Sequence, residues 1–299
     1  MKKLNFIIKC GLALLLLSFY SCESWLNVTP SDRLSEEMLF NDREGFVKAL
    51  NGVYIELNTN ELYGRNLTAG ALDVMGQYYS VASSSHAFYN YGGLVYTGND
   101  EKALFDNMWQ KCYAVIACCN TIIEKCDERQ DVLPGVYYGL YKGEALALRA
   151  MLHLDMLRLF GPVYDETSKT AECIPYVTNT DAQISPLLSA EVVLESVIGD
   201  LKTALNLLKE SDPVLTDGVR NEGNSIGDNA LNYRQFRLNY YAVKALLVRA
   251  YAWGHDESNA LVTAEEILRE VQVEGAEIFP FVTHAAATDV SKPDRVFSS

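Results

Sequence analysis

The chain has 299 residues, 49% of them apolar and 21% charged, which are the proportions of a folded globular protein. They exclude a disordered or low-complexity chain, and the length allows one large domain or two small ones. With a formal net charge of −14 and a pI near 4.8, the chain lacks the basic surface that draws nucleic acid or an anionic membrane, so neither is an expected partner.

Lys2, Lys3 and Lys9 precede an apolar run from Gly11 to Phe19. The run is shorter than the roughly 20 apolar residues of a membrane-spanning helix and has the length of a secretory signal. Phe19-Tyr20-Ser21-Cys22 closes it and resembles the bacterial lipobox, whose cysteine is lipidated and becomes the first residue of the mature chain. Phe19 and Tyr20 stand where that motif usually has leucine and a small residue. Residues 1–21 are expected to be a lipoprotein signal peptide and Cys22 the lipidation site. Several acyl chains on one cysteine anchor stably, because each buried methylene adds about 0.8 kcal/mol.

Glu23 to Asp32 is polar, contains Pro30 and reads as a tether. Ser35 and Asp42 are N-cap cues. Phe46, Leu50, Val53, Tyr54 and Leu57 recur at helical spacing. Tyr63 to Ala103 differs in composition, with six glycines, a Ser83-Ser84-Ser85 run, and Tyr78, Tyr79, His86, Phe88, Tyr89, Tyr91 and Tyr96. Leu67 to Met75 is expected to be helical and the rest a long aromatic loop. Loops this long in a compact domain are usually functional or mobile. Phe105, Trp109, Tyr113, Ile116, Asn120 and Ile123 form the next apolar stripe. Leu140 to Phe160 forms another, which Gly161-Pro162 stops.

Glu166 to Leu187 is a turn-rich connector. Ser189 caps a helix to about Glu210 with Val193, Val197, Leu201, Leu205 and Leu208 on one face. Asp212 to Ala230 is a polar loop, Asn232 to Trp253 a helix broken by Gly254, and Ser258 to Val271 its antiparallel partner. Strand alternation is nearly absent. Ala145, Ala147 and Ala150 in one helix match Ala242, Ala245 and Ala250 in another, and such small residues let paired helices pack closely. The expected fold is all-α, with tetratricopeptide-like helical hairpins, long loop insertions and little β-structure.

Cys112, Cys119 and Cys126 recur every seven residues on one helix face. One step is about 10 Å at a helical rise of about 1.5 Å per residue. A disulfide needs Cα atoms within roughly 7 Å, so these three are read as buried small apolar groups. Cys118-Cys119 does not have zinc spacing, and no metal or cofactor is expected. Asp217, Glu222 and Asp228 lack the spacing of a calcium loop and read as solvated acids. Ser85-His86 lacks a nucleophile elbow and a placed acid, so no catalytic residue is assigned. Glu144 and Arg149, five apart on one helix, do not face each other and are expected to bond separately to neighbouring elements. Asn120 is expected to be a satisfied buried amide.

Several stretches together resemble the SusD/RagB family of outer-membrane lipoproteins. They are Cys22 with Leu26-Asn27-Val28-Thr29-Pro30, then Ala49-Leu50-Asn51-Gly52-Val53-Tyr54, and Trp109 through Asn120-Thr121-Ile122-Ile123. Next come Gly143-Glu144-Ala145-Leu146-Ala147-Leu148-Arg149-Ala150 running to Leu159-Phe160-Gly161-Pro162-Val163, and Asp200-Leu201 with Ala204-Leu205. Ala242 to Tyr251 with Ala264 completes the set. The resemblance implies a SusD-like helical domain over residues 22–299, without the loop-rich second half that the family's longer members carry. It implies a cell-surface, lipid-anchored binding protein, not an enzyme, that takes a nutrient, expected to be a glycan or oligosaccharide, and delivers it to a SusC-like TonB-dependent outer-membrane transporter of Bacteroidetes. The alternatives are a peptide-binding member, or a lipid-anchored scaffold that contacts only proteins. For a glycan, tyrosines supply both an apolar face and a hydroxyl. Tyr78, Tyr89 and Tyr91 are the expected platforms, and Asn90, Asn99 and Asp73 the expected hydrogen-bonding partners.

Overall fold

A computed structural model describes residues 36–181, 183–220, 229–273, 276–279 and 288. The signal peptide, Cys22, Glu222 and Asp228 lie outside the described residues. The chain divides into two compact units, residues 1–39 and 40–299. The first contains α1 (Glu36–Leu39). The second contains every other described element.

Its helices form where capping and periodicity agree. Asp42 opens α2 (Arg43–Leu57) by accepting from the Gly45 N–H at 2.9 Å, and Phe46, Leu50, Val53 and Leu57 are buried along it. Two short helices follow: α3 (Ala71–Met75), inside the expected helical stretch, and α4 (Tyr89–Gly92), in the segment expected to be loop. Helix is shorter there than the expected Leu67 to Met75 because residues 62–70 coil into successive turns. Gly64 makes one of them possible: a Cβ there would lie 2.4 Å from the Asn58 carbonyl oxygen.

The long helix α5 (Asn99–Glu128) packs against both α2 and α6 (Tyr137–Phe160). Its core face is Met108, Cys112, Val115, Ile116, Cys119, Ile122 and Cys126. The expected stripe of Phe105, Trp109 and Tyr113 is only half-buried, because those rings turn toward one another instead of into the core. Cys112, Cys119 and Cys126 are buried free thiols, and burial pushes all three well above the usual thiol range.

Helix α6 is apolar nearly all round because α5 covers one side and α7 (Ala190–Ser211) the other. Close approach to α7 needs Gly143, where a Cβ would meet Leu208 Cγ at 2.9 Å and the Ala204 carbonyl oxygen at 3.2 Å. Between these helices, β1 (Glu172–Ile174) pairs antiparallel with β2 (Leu188–Ser189), and Ser189 then caps α7. A one-turn helix, α8 (Val214–Asp217), follows α7. The last helices are α9 (Tyr240–Trp253), packed on α7, and α10 (Glu257–Glu270), packed on α9. A second antiparallel pair joins β3 (Gln272–Val273) to β4 (Ala276–Glu277). The order α2, α5, α6, α7, α9, α10, each on its predecessor, is the hairpin stacking that the small-residue patterns predict. No described helix is long and apolar enough to cross a membrane.

Two buried polar clusters tie loops to this stack. In the first, Arg149 forks onto Asp200 at 2.7 and 2.8 Å and also donates to Asn120, whose amide donates to the Val177 and Asn179 carbonyls. In the second, Arg234 is 2% exposed and bonds Glu144 at 2.6 Å and Asp212 at 3.1 Å. Glu144 and Arg149 thus serve separate neighbours, as their spacing predicts. The second cluster also corrects a boundary: α9 begins at Tyr240, not at Asn232. Residues 232–239 are instead drawn toward α6 by Arg234 and Arg237, and Asn239 caps the helix by accepting from the Ala242 N–H.

Candidate functional site

After α2 the chain folds on itself through hydrogen bonds from the Tyr63 N–H to the Leu57 carbonyl and from the Gly70 N–H to the Arg65 carbonyl, at 2.9 and 2.7 Å. Leu62 and Leu67 anchor the coil in the core and leave Tyr63 and Thr68 along its rim. Helix α3 buries Ala71 and Val74 and leaves Asp73 half-buried. Gln77 then takes a left-handed backbone, φ 59°, and its amide donates to the Val74 and Gly92 carbonyls. That reversal presents Tyr78 to solvent, 83% exposed.

The coil forms one wall of a cleft of about 1230 Å³. The facing wall is the last turn of α6, with Asp155, Arg158 and Phe160, and the last turn of α9, with Arg249 and Trp253. Tyr96 and Phe105 complete it. The volume exceeds the roughly 300–1,000 Å³ of ordinary small-ligand pockets. Behind the wall the rings form a ladder. Phe105 is edge-on to Tyr96 and Phe160 at 5.5 and 6.3 Å, and Phe160 is edge-on to Trp109 at 5.0 Å.

Asp155 is the electrostatic centre of the cleft. Its Oδ2 accepts from the Tyr63 hydroxyl at 2.5 Å and its Oδ1 from Arg158 Nη1 at 2.8 Å. Burial, and then the Asp155 charge, holds the Tyr63 phenol well above its ordinary range, so it remains a donor.

The six residues expected to meet ligand divide between places. Asp73 and Tyr78 line the large cleft. Tyr89 and Asn90 line a separate groove of about 390 Å³ with Gln77, Tyr79 and Val95. The Asn90 amide is engaged by Glu101 at 2.8 Å. Asn99 begins α5, is exposed and lines neither cavity. Tyr91 is 2% exposed, with Phe88, Tyr96 and Phe105 within about 6 Å, so its ring packs the segment and offers no face to a ligand. His86 accepts from the Phe88 N–H, and Ser85 bonds Ser83, so these two form no dyad. No group of three or more potential metal ligands occurs among the described residues, and Asp217 pairs with Arg220.

Sequence reasoning missed Tyr63, Phe105, Asp155, Arg158, Arg249 and Trp253 as cleft residues. Asp155 and Arg158 carried a signal: an i, i+3 ion pair interrupts the apolar end of α6 just before Gly161-Pro162. Arg249 and Trp253 carried none, because only tertiary packing brings α9 to the cleft.

A family model described as "Starch-binding associating with outer membrane" matches residues 24–216. Among curated proteins, SusD-like protein P38 of Formosa agariphila is 27% identical over 62% of this chain and 34% of its own length. SusD-like protein P2 of the same organism is 25% identical over 70% of this chain and 38% of its own. A SusD superfamily protein from Bacteroides thetaiotaomicron superposes with a TM-score of 0.60 at 18% identity, covering 83% of this chain and 50% of that one. A SusD-like carbohydrate binding protein from Bacteroides vulgatus gives 0.58 at 22% identity, over 78% and 46%. The chain therefore spans a little over a third of the curated relatives and about half of the solved ones. The family match covers more than half of the chain and includes every helix from α2 to α7, and on it this chain belongs to the SusD-like family.

Proposed function

We propose that this chain captures a saccharide in the cleft between the coil that holds Tyr63 to Tyr78 and the ends of α6 and α9. The observation that carries the reading is chemical. The cleft combines apolar ring surface from Tyr78, Tyr96, Phe105 and Trp253 with polar groups at Asp73, Asp155, Arg158 and Arg249. Sugars present apolar C–H faces and a hydroxyl rim, and rigid aromatic anchors with a few polar groups suit both. Family membership supports the ligand class. Lipid anchoring through Cys22 at the cell surface, and transfer of ligand to a SusC-like TonB-dependent barrel, complete the proposed role.

An affinity gel series with neutral and charged polysaccharides tests capture. A retarded wild-type band with at least one polysaccharide, and loss of retardation in Tyr78→Ala with an unchanged circular dichroism spectrum, is the expected result. Retardation that survives in Tyr78→Ala and also in Phe105→Ala rejects this cleft as the site. Recovery of a TonB-dependent barrel by pull-down from detergent-solubilised outer membrane tests the partnership.

A further inference from the structure

We propose that the cleft selects saccharides bearing an anionic group, a carboxylate or a sulfate ester, and that Arg249 is the residue that holds it. The inference rests on the saccharide-binding reading above and concerns its selectivity. Both oxygens of Asp155 are already engaged, one by Tyr63 and one by Arg158. Arg158 reaches Asp155 through Nη1 alone and is half-exposed, so further N–H donors remain available on it. Arg249 is exposed on the facing wall and makes no hydrogen bond or ion pair with any described residue. It lines the same cleft as the Tyr63–Asp155 pair.

Trp253 lies one turn beyond Arg249, at the i, i+4 spacing that puts both on one helix face. Its indole N–H is buried without a hydrogen-bond partner among the described residues. That N–H is closed to the cleft, so the open donors of the α6–α9 wall, once Asp155 is accounted for, are the guanidiniums of Arg249 and Arg158. A planar guanidinium fork matches a carboxylate or sulfate through two parallel bonds, whereas a neutral hydroxyl uses it only singly. On the opposite wall, the Asp73 carboxylate has no ion pair among the described residues and can accept from a ring hydroxyl. A single residue of an acidic sugar carries both features, an anionic group for Arg249 and hydroxyls for Asp73. An uncommitted arginine in the main cleft of a chain with net charge −14 runs against the general field of the molecule, which discourages anions that do not reach that wall.

Isothermal titration calorimetry of the purified chain tests this with three tetrasaccharides: tetragalacturonate, a carrageenan tetrasaccharide and maltotetraose. These separate the carboxylate source, the sulfate source and the neutral case. The expected result is at least tenfold tighter binding of one anionic probe than of maltotetraose. The same preference should collapse in Arg249→Gln and recover only partly in Arg249→Lys, which restores charge without the fork. Maltotetraose binding as tightly as both anionic probes, in a Tyr78-dependent manner, overturns the selectivity and leaves saccharide capture standing. An anionic preference undiminished in Arg249→Gln overturns the assignment to Arg249. Failure of all three probes to bind removes the saccharide reading and this inference together.

Discussion

The hydroxyl of Tyr63 donates to Oδ2 of Asp155 at 2.5 Å across a sequence separation of 92 residues. Tyr63 belongs to the coil after α2 and Asp155 to the last turns of α6, so this bond fixes one wall of the cleft against the other. Tyr63→Phe removes it while keeping the ring. Hydrogen bonds to charged groups contribute roughly 1.5–3 kcal/mol, and that is the expected loss in urea unfolding. Amides of residues 62–70 should exchange faster in the variant, by native-state hydrogen exchange. Unchanged exchange there would show that Leu62 and Leu67 hold the coil without the phenol.

The Arg234 cluster makes a stronger prediction. Burial opposes the charge on Glu144, but the guanidiniums of Arg234 and Arg237 outweigh it and hold the carboxyl below its usual range. Arg234→Met leaves Glu144 and Asp212 buried without this partner. Breaking one side of a buried ion pair costs about 3–5 kcal/mol. Adding Glu144→Gln and Asp212→Asn to Arg234→Met should recover part of the loss, since the stranded charges are then gone. A triple variant no more stable than the single one would show that packing, not charge, dominates the cluster.

Gly143 sets helix propensity against packing. In an exposed helix interior, Gly to Ala stabilises by about 1 kcal/mol. Here the added methyl would stand 2.9 Å from Leu208 Cγ and 3.2 Å from the Ala204 carbonyl oxygen. Overpacking of this kind costs roughly 1–3 kcal/mol, so Gly143→Ala should lower the urea midpoint. A raised midpoint would mean that α6 and α7 separate at little cost.

His153 predicts a pH dependence. Its Nε2 accepts from the Val177 N–H at 3.0 Å, so its Nδ1 carries the proton and donates to the Arg149 carbonyl at 2.9 Å. Burial pulls the imidazole down to about 3, against an unfolded value of about 6.5. The unfolded chain therefore takes up a proton between these values and the native chain does not. Stability is full above about 6.5 and falls on acidification toward about 3. From pH 6.5 to 5.5 this one site should cost about 1 kcal/mol. His153→Phe, which cannot titrate, should start from a lower stability at pH 7 and show a flatter slope in that window. An identical slope in variant and wild type would place the titration elsewhere.

The stack of helices was legible because it is written locally. Asp42 and Ser189 mark helix starts, Gly161-Pro162 marks a stop, and Val193, Val197, Leu201 and Leu208 mark a face. The start of α9 was not legible: residues 232–239 have helical character, but an ionic cluster formed with Glu144 and Asp212, distant in sequence, overrides it. The cleft was half-legible. Composition pointed to the 63–103 segment and found Asp73 and Tyr78, but could not tell the outward Tyr78 from the inward Tyr91. That difference is set by the left-handed turn at Gln77 and by the rings packed on Tyr91. The opposite wall comes from α6 and α9, whose approach is a property of the whole stack.

Saccharide binding is assigned to the cleft that the Tyr63–Asp155 hydrogen bond spans, between the coil and the ends of α6 and α9. Hydrogen-exchange footprinting of the full chain with the tightest-binding oligosaccharide of the panel tests it most directly. The account predicts ligand-dependent protection of residues 63–78, with smaller protection near 155–160 and 249–253. Protection confined to other helices, or no protection with any saccharide at saturating concentration, would contradict it.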